Sequence, residues 1–173
     1  MRNLEIERKY LIRKSDIDFD YKKYRYHKIA QSFIYLKPTI RIRKCDYKYY
    51  LTVKNKLKNK SLSHIDDLVR DEYEIEISRK AYNDLTKRIC GRIIHKVRYY
   101  IPYRYKKKNY TIELDVFEKE LKGLIYAEVE FGSEKEAVAF KAPDWFYKDV
   151  TGIDKYKNTS LSICKNVKNL LKY

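Results

Sequence analysis

At 173 residues the chain is long enough to close one core while burying on the order of two-thirds of its unfolded surface, so a single domain over 1–173 is expected. Its 44% hydrophobic and 37% charged residues, with only four Gly and three Pro, exclude a disordered or loop-stapled chain. The formal charge of +16, from 40 Lys plus Arg against 24 Asp plus Glu, would attract any polyanion, whether nucleic acid, nucleotide or polyphosphate.

The chain opens Met1-Arg2-Asn3-Leu4-Glu5-Ile6-Glu7, with charges where a signal peptide needs an apolar run. Period-two alternation marks eight strands, at 3–13, 29–36, 39–45, 48–55, 70–78, 93–104, 109–117 and 124–132. Helical periodicity fits 79–90, stopped by Gly91, and 133–141, where Ser133 caps and Glu136 follows three residues on. Two further helices are expected at 143–150 and 159–171. The connection 14–28 has room for a short helix, and polar Lys56–Asp67 reads as a mobile loop. No run approaches the ~20 apolar residues of a membrane span. Cys45, Cys90 and Cys164 are odd in number and share no metal-ligand spacing, which together with the charged amino terminus predicts a cytoplasmic protein without a membrane partner.

Side chains on a strand alternate faces, and here the parity separates charge from grease. Glu5, Glu7 and Lys9 oppose Leu4 and Ile6, and Arg41 and Arg43 alternate with Ile40 and Ile42. Glu72, Glu74 and Glu76 oppose Tyr73, Ile75 and Ile77, and Lys96 and Arg98 oppose Val97, Tyr99 and Ile101. Glu113 and Asp115 oppose Ile112, Leu114 and Val116, while Glu128 and Glu130 oppose Ala127, Val129 and Phe131. An antiparallel sheet with one solvated face yields such alternation routinely. A solvated face, however, mixes its polar residues, whereas most of these strands carry a block of one sign. Like charges set opposite one another destabilise a sheet unless the other sign or a ligand lies between. Closing the sheet with the charged face inward provides both, and places acid patches for a metal beside basic patches for phosphate oxygens. The apolar outer face would be covered by the helices.

Glu5-Ile6-Glu7-Arg8-Lys9-Tyr10-Leu11 resembles the amino-terminal Glu-x-Glu-x-Lys signature of the CYTH superfamily, the triphosphate tunnel metalloenzymes. The likeness continues in order through Thr39-Ile40-Arg41-Ile42-Arg43, Leu51-Thr52-Val53-Lys54, Arg70-Asp71-Glu72-Tyr73-Glu74, Lys96-Val97-Arg98, Glu113-Leu114-Asp115 and Ala127-Glu128-Val129-Glu130. The resemblance implies an α+β fold, an eight-stranded antiparallel β-barrel with helices packed outside. In it Arg and Lys hold a triphosphate, and Glu residues hold Mg²⁺ or Mn²⁺. Asp154-Lys155-Tyr156-Lys157-Asn158 resembles the closing segment of the family, with Lys155 and Lys157 both open as the residue reaching the lumen.

The expected activity is hydrolysis of inorganic triphosphate to pyrophosphate and orthophosphate. Glu5, Glu7, Glu128 and Glu130 are the expected metal ligands, because hard divalent cations take carboxylate oxygens. Lys9, Arg41, Arg43, Lys54, Lys96 and Arg98 are the expected phosphate ligands, Arg as a planar fork and Lys as a point charge. Glu113 and Asp115 are expected to hold a water, a second metal or the basic side chains in place, and Glu72 and Glu74 to support the lumen. His27, His64 and His95 do not cluster in sequence, so a histidine base is not expected. Cys45 reads as a buried bystander, and Trp145 and Phe146 as core packing. Three alternatives stay open: a nucleoside or RNA 5′-triphosphatase, a class IV-type adenylate cyclase, and a non-catalytic polyanion-binding module. The oligomeric state is open as well.

Overall fold

A computed structural model describes residues 3–55, 69–165 and Leu170, with the backbone alone described at 3–5, 55 and 69–71. In chain order it contains β1 (Asn3–Leu11), β2 (Tyr26–Leu36), β3 (Thr39–Cys45), β4 (Lys48–Asn55), β5 (Val69–Glu76), α1 (Arg79–Thr86), β6 (Cys90–Tyr105) and β7 (Lys108–Phe117). These are followed by β8 (Ile125–Glu130), α2 (Glu134–Ala139), β9 (Lys148–Asp149) and α3 (Asn158–Ile163). Among the described residues no helix is long and apolar enough to cross a membrane.

All strands join one antiparallel sheet in the order β5-β4-β3-β2-β6-β7-β8-β1-β9, and β5 pairs with β1 as well. The reason lies in β1. One of its edges is occupied by β8, with Glu7 opposite Glu130 and Lys9 opposite Glu128. Its other edge is shared: β5 pairs there from Asn3–Glu72 to Ile6–Val69. The segment that contains β9 takes over there, with Tyr10 opposite Asp149 and the Val150 amide donating to Lys9 O at 2.9 Å. The expected closed barrel of eight strands is corrected on both counts. Among the described residues the sheet has nine strands, and its two ends meet over that short stagger, because β5 and β9 divide one strand edge between them.

The helical expectations need trimming. Ser78 caps α1 by accepting from the Ala81 amide, but the helix stops at Thr86, and residues up to 90 leave it so that Cys90 can begin β6. Ser133 caps α2 by accepting from the Glu136 amide, as its spacing predicts. The helix expected at 143–150 is absent: the chain makes a turn at Asp144–Trp145 and then the short β9, held by β1. α3 covers only Asn158–Ile163, and the later part of the helix expected there, 166–169 and 171, lies outside the described residues. The loop expected at 56–67 lies outside them too. In 14–28 there are two 3₁₀ turns, at Lys14–Asp16 and Tyr21–Lys23.

Two apolar clusters flank the sheet. On the outer face of β1, β6, β7 and β8, residues including Tyr10, Ile101, Ile112, Leu114 and Val129 pack under Phe140, with Trp145 and Phe146 against them. The second cluster lies on the charged face. Leu11, Phe33, Ile94, Phe117 and Tyr126 have the same parity as the lumen charges, and they pack with Val150, Tyr156 and Leu161. The inward face is thus charged over most of its length and apolar at one end. Among the described residues the outer cover is partial: over β4 and β5, Val53, Tyr73 and Ile75 are exposed.

Candidate functional site

The charged residues of alternating parity converge on a single cavity of about 1000 Å³. Among its lining residues are Glu7, Lys9, Arg41, Arg43, Lys54, Glu72, Glu74, Lys96, Arg98, Glu113, Glu128 and Glu130. Every residue expected to bind phosphate or metal, or to support those that do, whose side chain is described either lines this space or, like Asp115, holds one that does. The side chain of Glu5 lies outside the described residues.

Two ion-pair networks form the walls. On β3, β4 and β5, cross-strand register sets Arg41 opposite Thr52, and Thr52 opposite Glu74. Arg41 Nη2 donates to Glu72 at 3.1 Å and to Glu74 at 3.2 Å. Arg43 Nη2 donates to Glu74 at 2.8 Å, and Lys54 Nζ lies 2.7 Å from Glu72. Thr52, fully buried, donates to Glu74 at 2.7 Å. Burial works to raise the Glu74 carboxyl, but the Thr52 hydroxyl and the Arg43 and Arg41 charges prevail and hold it below the usual carboxylate range.

The other wall, on β1, β6, β7 and β8, is drier. Asp115 is wholly buried and takes both Lys96 Nζ at 2.5 Å and a fork from Arg98. Arg98 also reaches Glu113, and Glu128 at 2.5 Å, while Lys9 Nζ lies 2.8 Å from Glu128. Burial would raise the Glu128 carboxyl, yet Lys9, Arg98 and Lys96 hold it well below its ordinary value. Lys96 is lowered, by burial first and by the neighbouring Arg98 charge second. Glu113 goes the opposite way. Burial pushes it up to about 7, the Arg98 charge opposing and the charges of Glu128, Asp115 and Glu130 reinforcing the rise. Acid is in local surplus on this wall, where Glu113 faces Glu128 and Glu7 faces Glu130 in direct register.

Glu76 lies at the rim, exposed and 3.4 Å from Lys48. Of the two lysines left open, Lys157 lines the cavity, whereas Lys155 stands over the Tyr156 ring, 4.7 Å from its centre. His95 is away from the site, its Nε2 3.0 Å from Lys119 Nζ. Thr52, Gln31 and Tyr100 belong to the site without having been singled out. Their strand parity marks them as inward, but they carry no charge to set them apart from other polar residues. His27 and Cys45, distant in sequence, come together beside Asp46.

A curled antiparallel sheet lined by facing blocks of acid and base is the architecture of the triphosphate tunnel class. No family model matches the chain, but individual relatives do. An inorganic triphosphatase of Acetivibrio thermocellus is 35% identical over 124 residues, 71% of this chain and 70% of that protein. One of Nitrosomonas europaea is 35% identical over 126 residues, 72% of this chain and 74% of that protein. The crystal structure of an inorganic triphosphatase superposes with a TM-score of 0.63 at 30% identity, covering 92% of this chain and 95% of the other. The chain belongs to the CYTH superfamily of triphosphate tunnel metalloenzymes.

Proposed function

We propose that this protein hydrolyses inorganic triphosphate to pyrophosphate and orthophosphate within the charged cavity, with Mg²⁺ or Mn²⁺ as cofactor. The observation that carries the reading is the cationic set Arg41, Arg43, Lys54, Lys96, Arg98 and Lys9 lining one space together with Glu7, Glu128 and Glu130. Its likeness to two inorganic triphosphatases at 35% identity supports the choice of substrate.

The donor set suits a hard cation. Glu7 and Glu130 are register partners on neighbouring strands, a spacing at which two carboxylates can share one divalent ion. Glu5, Glu7, Glu128 and Glu130 would hold the metal. When bound, it supplies charge neutralisation and Lewis-acid polarisation of phosphoryl oxygens.

The chain's own residues do the rest. Arg41 and Arg43 present planar donors to non-bridging oxygens, and Lys54, Lys9 and Lys96 contribute point charges in a partly dry space. Arg98, gripped by Asp115, is held rigidly enough to meet charge as it develops. Attack of water on a terminal phosphorus breaks one phosphoanhydride bond, pyrophosphate leaves, and the water's proton passes to a lumen carboxylate.

The test is orthophosphate release from triphosphate, ATP and pyrophosphate with Mg²⁺ and then Mn²⁺. Metal-dependent turnover of triphosphate well above the other two is expected. Absence of release from a folded protein that still binds triphosphate would overturn the hydrolytic reading.

A further inference from the structure

At the end of the lumen face opposite the apolar cluster, three residues of different chemistry meet. β2 begins near His27, β3 ends at Cys45, and Asp46 starts the two-residue turn into β4. Ile29 stands opposite Cys45 and His27 opposite Arg98, which places His27 and Cys45 on the lumen face. Asp46 is fixed from two directions: its amide donates to Lys28 O at 2.9 Å, and its Oδ1 accepts from the Lys28 amide at 2.9 Å. Its Oδ2 is thereby left facing His27 Nδ1, 2.5 Å away. One donor atom from each of His27, Cys45 and Asp46 lies within 4.8 Å of the other two, the only such set of three among the described residues.

We propose that His27, Cys45 and Asp46 form a second metal site, for a borderline transition ion such as Zn²⁺, separate from the lumen carboxylates. The donor set decides the class of ion. A thiolate, an imidazole and one carboxylate suit Zn²⁺ or Co²⁺ and are poor ligands for Mg²⁺, which takes oxygen in octahedral array. Three protein ligands with a position left for water is a common zinc arrangement. The openness of the site allows it, with the side chains of His27 and Asp46 32% and 34% exposed.

The geometry needs little adjustment. Bond lengths of ~2.0–2.3 Å place tetrahedral donors about 3.5 Å apart, so an ion replacing the shared His27–Asp46 proton would part that pair by about 1 Å and draw the thiol in. Cys45 Sγ has no hydrogen bond to give up among the described residues and is in no disulfide. The site lies at the rim of the substrate cavity: the His27 ring is edge-on to Tyr100, centres 5.4 Å apart, and Tyr100 lines that cavity. A bound ion would tie the start of β2 to the β3–β4 turn.

Cobalt is the probe. Chelator-treated protein in excess Mg²⁺ is titrated with Co²⁺ and followed by the thiolate-to-cobalt charge-transfer band in the near ultraviolet. One equivalent per chain should develop the band. Cys45→Ser should abolish it, and His27→Gln should weaken binding at least about tenfold. Cys90→Ser with Cys164→Ser, and separately Glu130→Gln, should leave it intact. Zn²⁺ should also slow alkylation of Cys45 in the unmutated protein without protecting Cys90 or Cys164, a readout independent of any variant's folding. No band in the folded wild type, a band that survives Cys45→Ser, or alkylation of Cys45 indifferent to Zn²⁺ would each overturn the site.

Discussion

Arg98 and Asp115 stand opposite each other on β6 and β7 and meet in a two-point fork, Nε to Oδ1 and Nη2 to Oδ2, each at 2.7 Å. Asp115 is fully buried and also holds Lys96, so one carboxylate orients two of the cations that line the cavity. Asp115→Asn takes from Lys96 the carboxylate it pairs with, and from Arg98 its two-point partner while Glu113 and Glu128 remain, all in a dry place. A loss of about 3–5 kcal/mol in urea unfolding is expected. An unchanged midpoint would mean that the fork orients the cations without supporting the fold.

Glu7→Gln and Glu130→Gln remove charge from the register pair assigned to the metal. Metal affinity, read by Mn²⁺ titration calorimetry, should fall on the order of 100-fold, and triphosphate turnover should fall with it. Tight Mn²⁺ binding in the double variant would move the metal elsewhere.

Lys157 and Lys155 offer a matched comparison, since only the first lines the cavity. Lys157→Ala should raise KM for triphosphate roughly 10-fold, about one charge-assisted hydrogen bond, whereas Lys155→Ala should leave it within twofold. Equal effects would remove Lys157 from the site.

Glu74 carries the pH dependence of the β3–β5 wall. Its carboxyl is depressed below 4.5 against the effect of burial, by Thr52 and the two arginines, so the folded state binds its proton less readily than the unfolded chain does. The resulting stabilisation is complete above the ordinary value of 4.5 and is lost as the pH falls through the lower folded value. Glu74→Gln should therefore cost about 1–2 kcal/mol at pH 7 and progressively less below pH 4.5. A difference independent of pH across that range would assign the loss to packing.

Gly91 sits at φ +76°, and a Cβ there would lie 2.3 Å from the carbonyl oxygen of Ser162 in α3. Backbone cannot yield as a side-chain tip can. Gly91→Ala should cost about 1–3 kcal/mol by prising α3 from β6, and its thermal midpoint should show it.

The lumen was readable in the sequence because strand parity is local: whichever strands pair, Arg41 and Arg43 share a face, as do Glu128 and Glu130. The same rule located the strands, and Ser133 with Glu136 located α2. Parity could not tell that Leu11, Ile94, Phe117 and Tyr126, inward like the charged residues, would gather into a plug, since that depends on register between strands far apart in the chain. Nor could it foresee that β1 would divide one edge between β5 and β9, which replaced an expected helix with an edge strand. Gly91, taken as a helix stop, answers instead to the approach of α3. His27 and Cys45, 18 positions apart by number, looked unrelated until the β2–β3 register set Ile29 against Cys45.

The lumen cations and acids neutralise one another: Glu128 is gripped by Lys9 and Arg98, and Glu72 by Arg41 and Lys54. Phosphate arriving alone would draw the cations off and strand the carboxylates, and a metal arriving alone would release the cations to repel each other. Each guest is therefore admitted at least cost in the other's company. Affinity for one should rise with occupancy by the other, by the same factor in both directions, a reciprocity that follows from the thermodynamic cycle and that makes the empty lumen a discriminator against polyanions that bring no cation of their own.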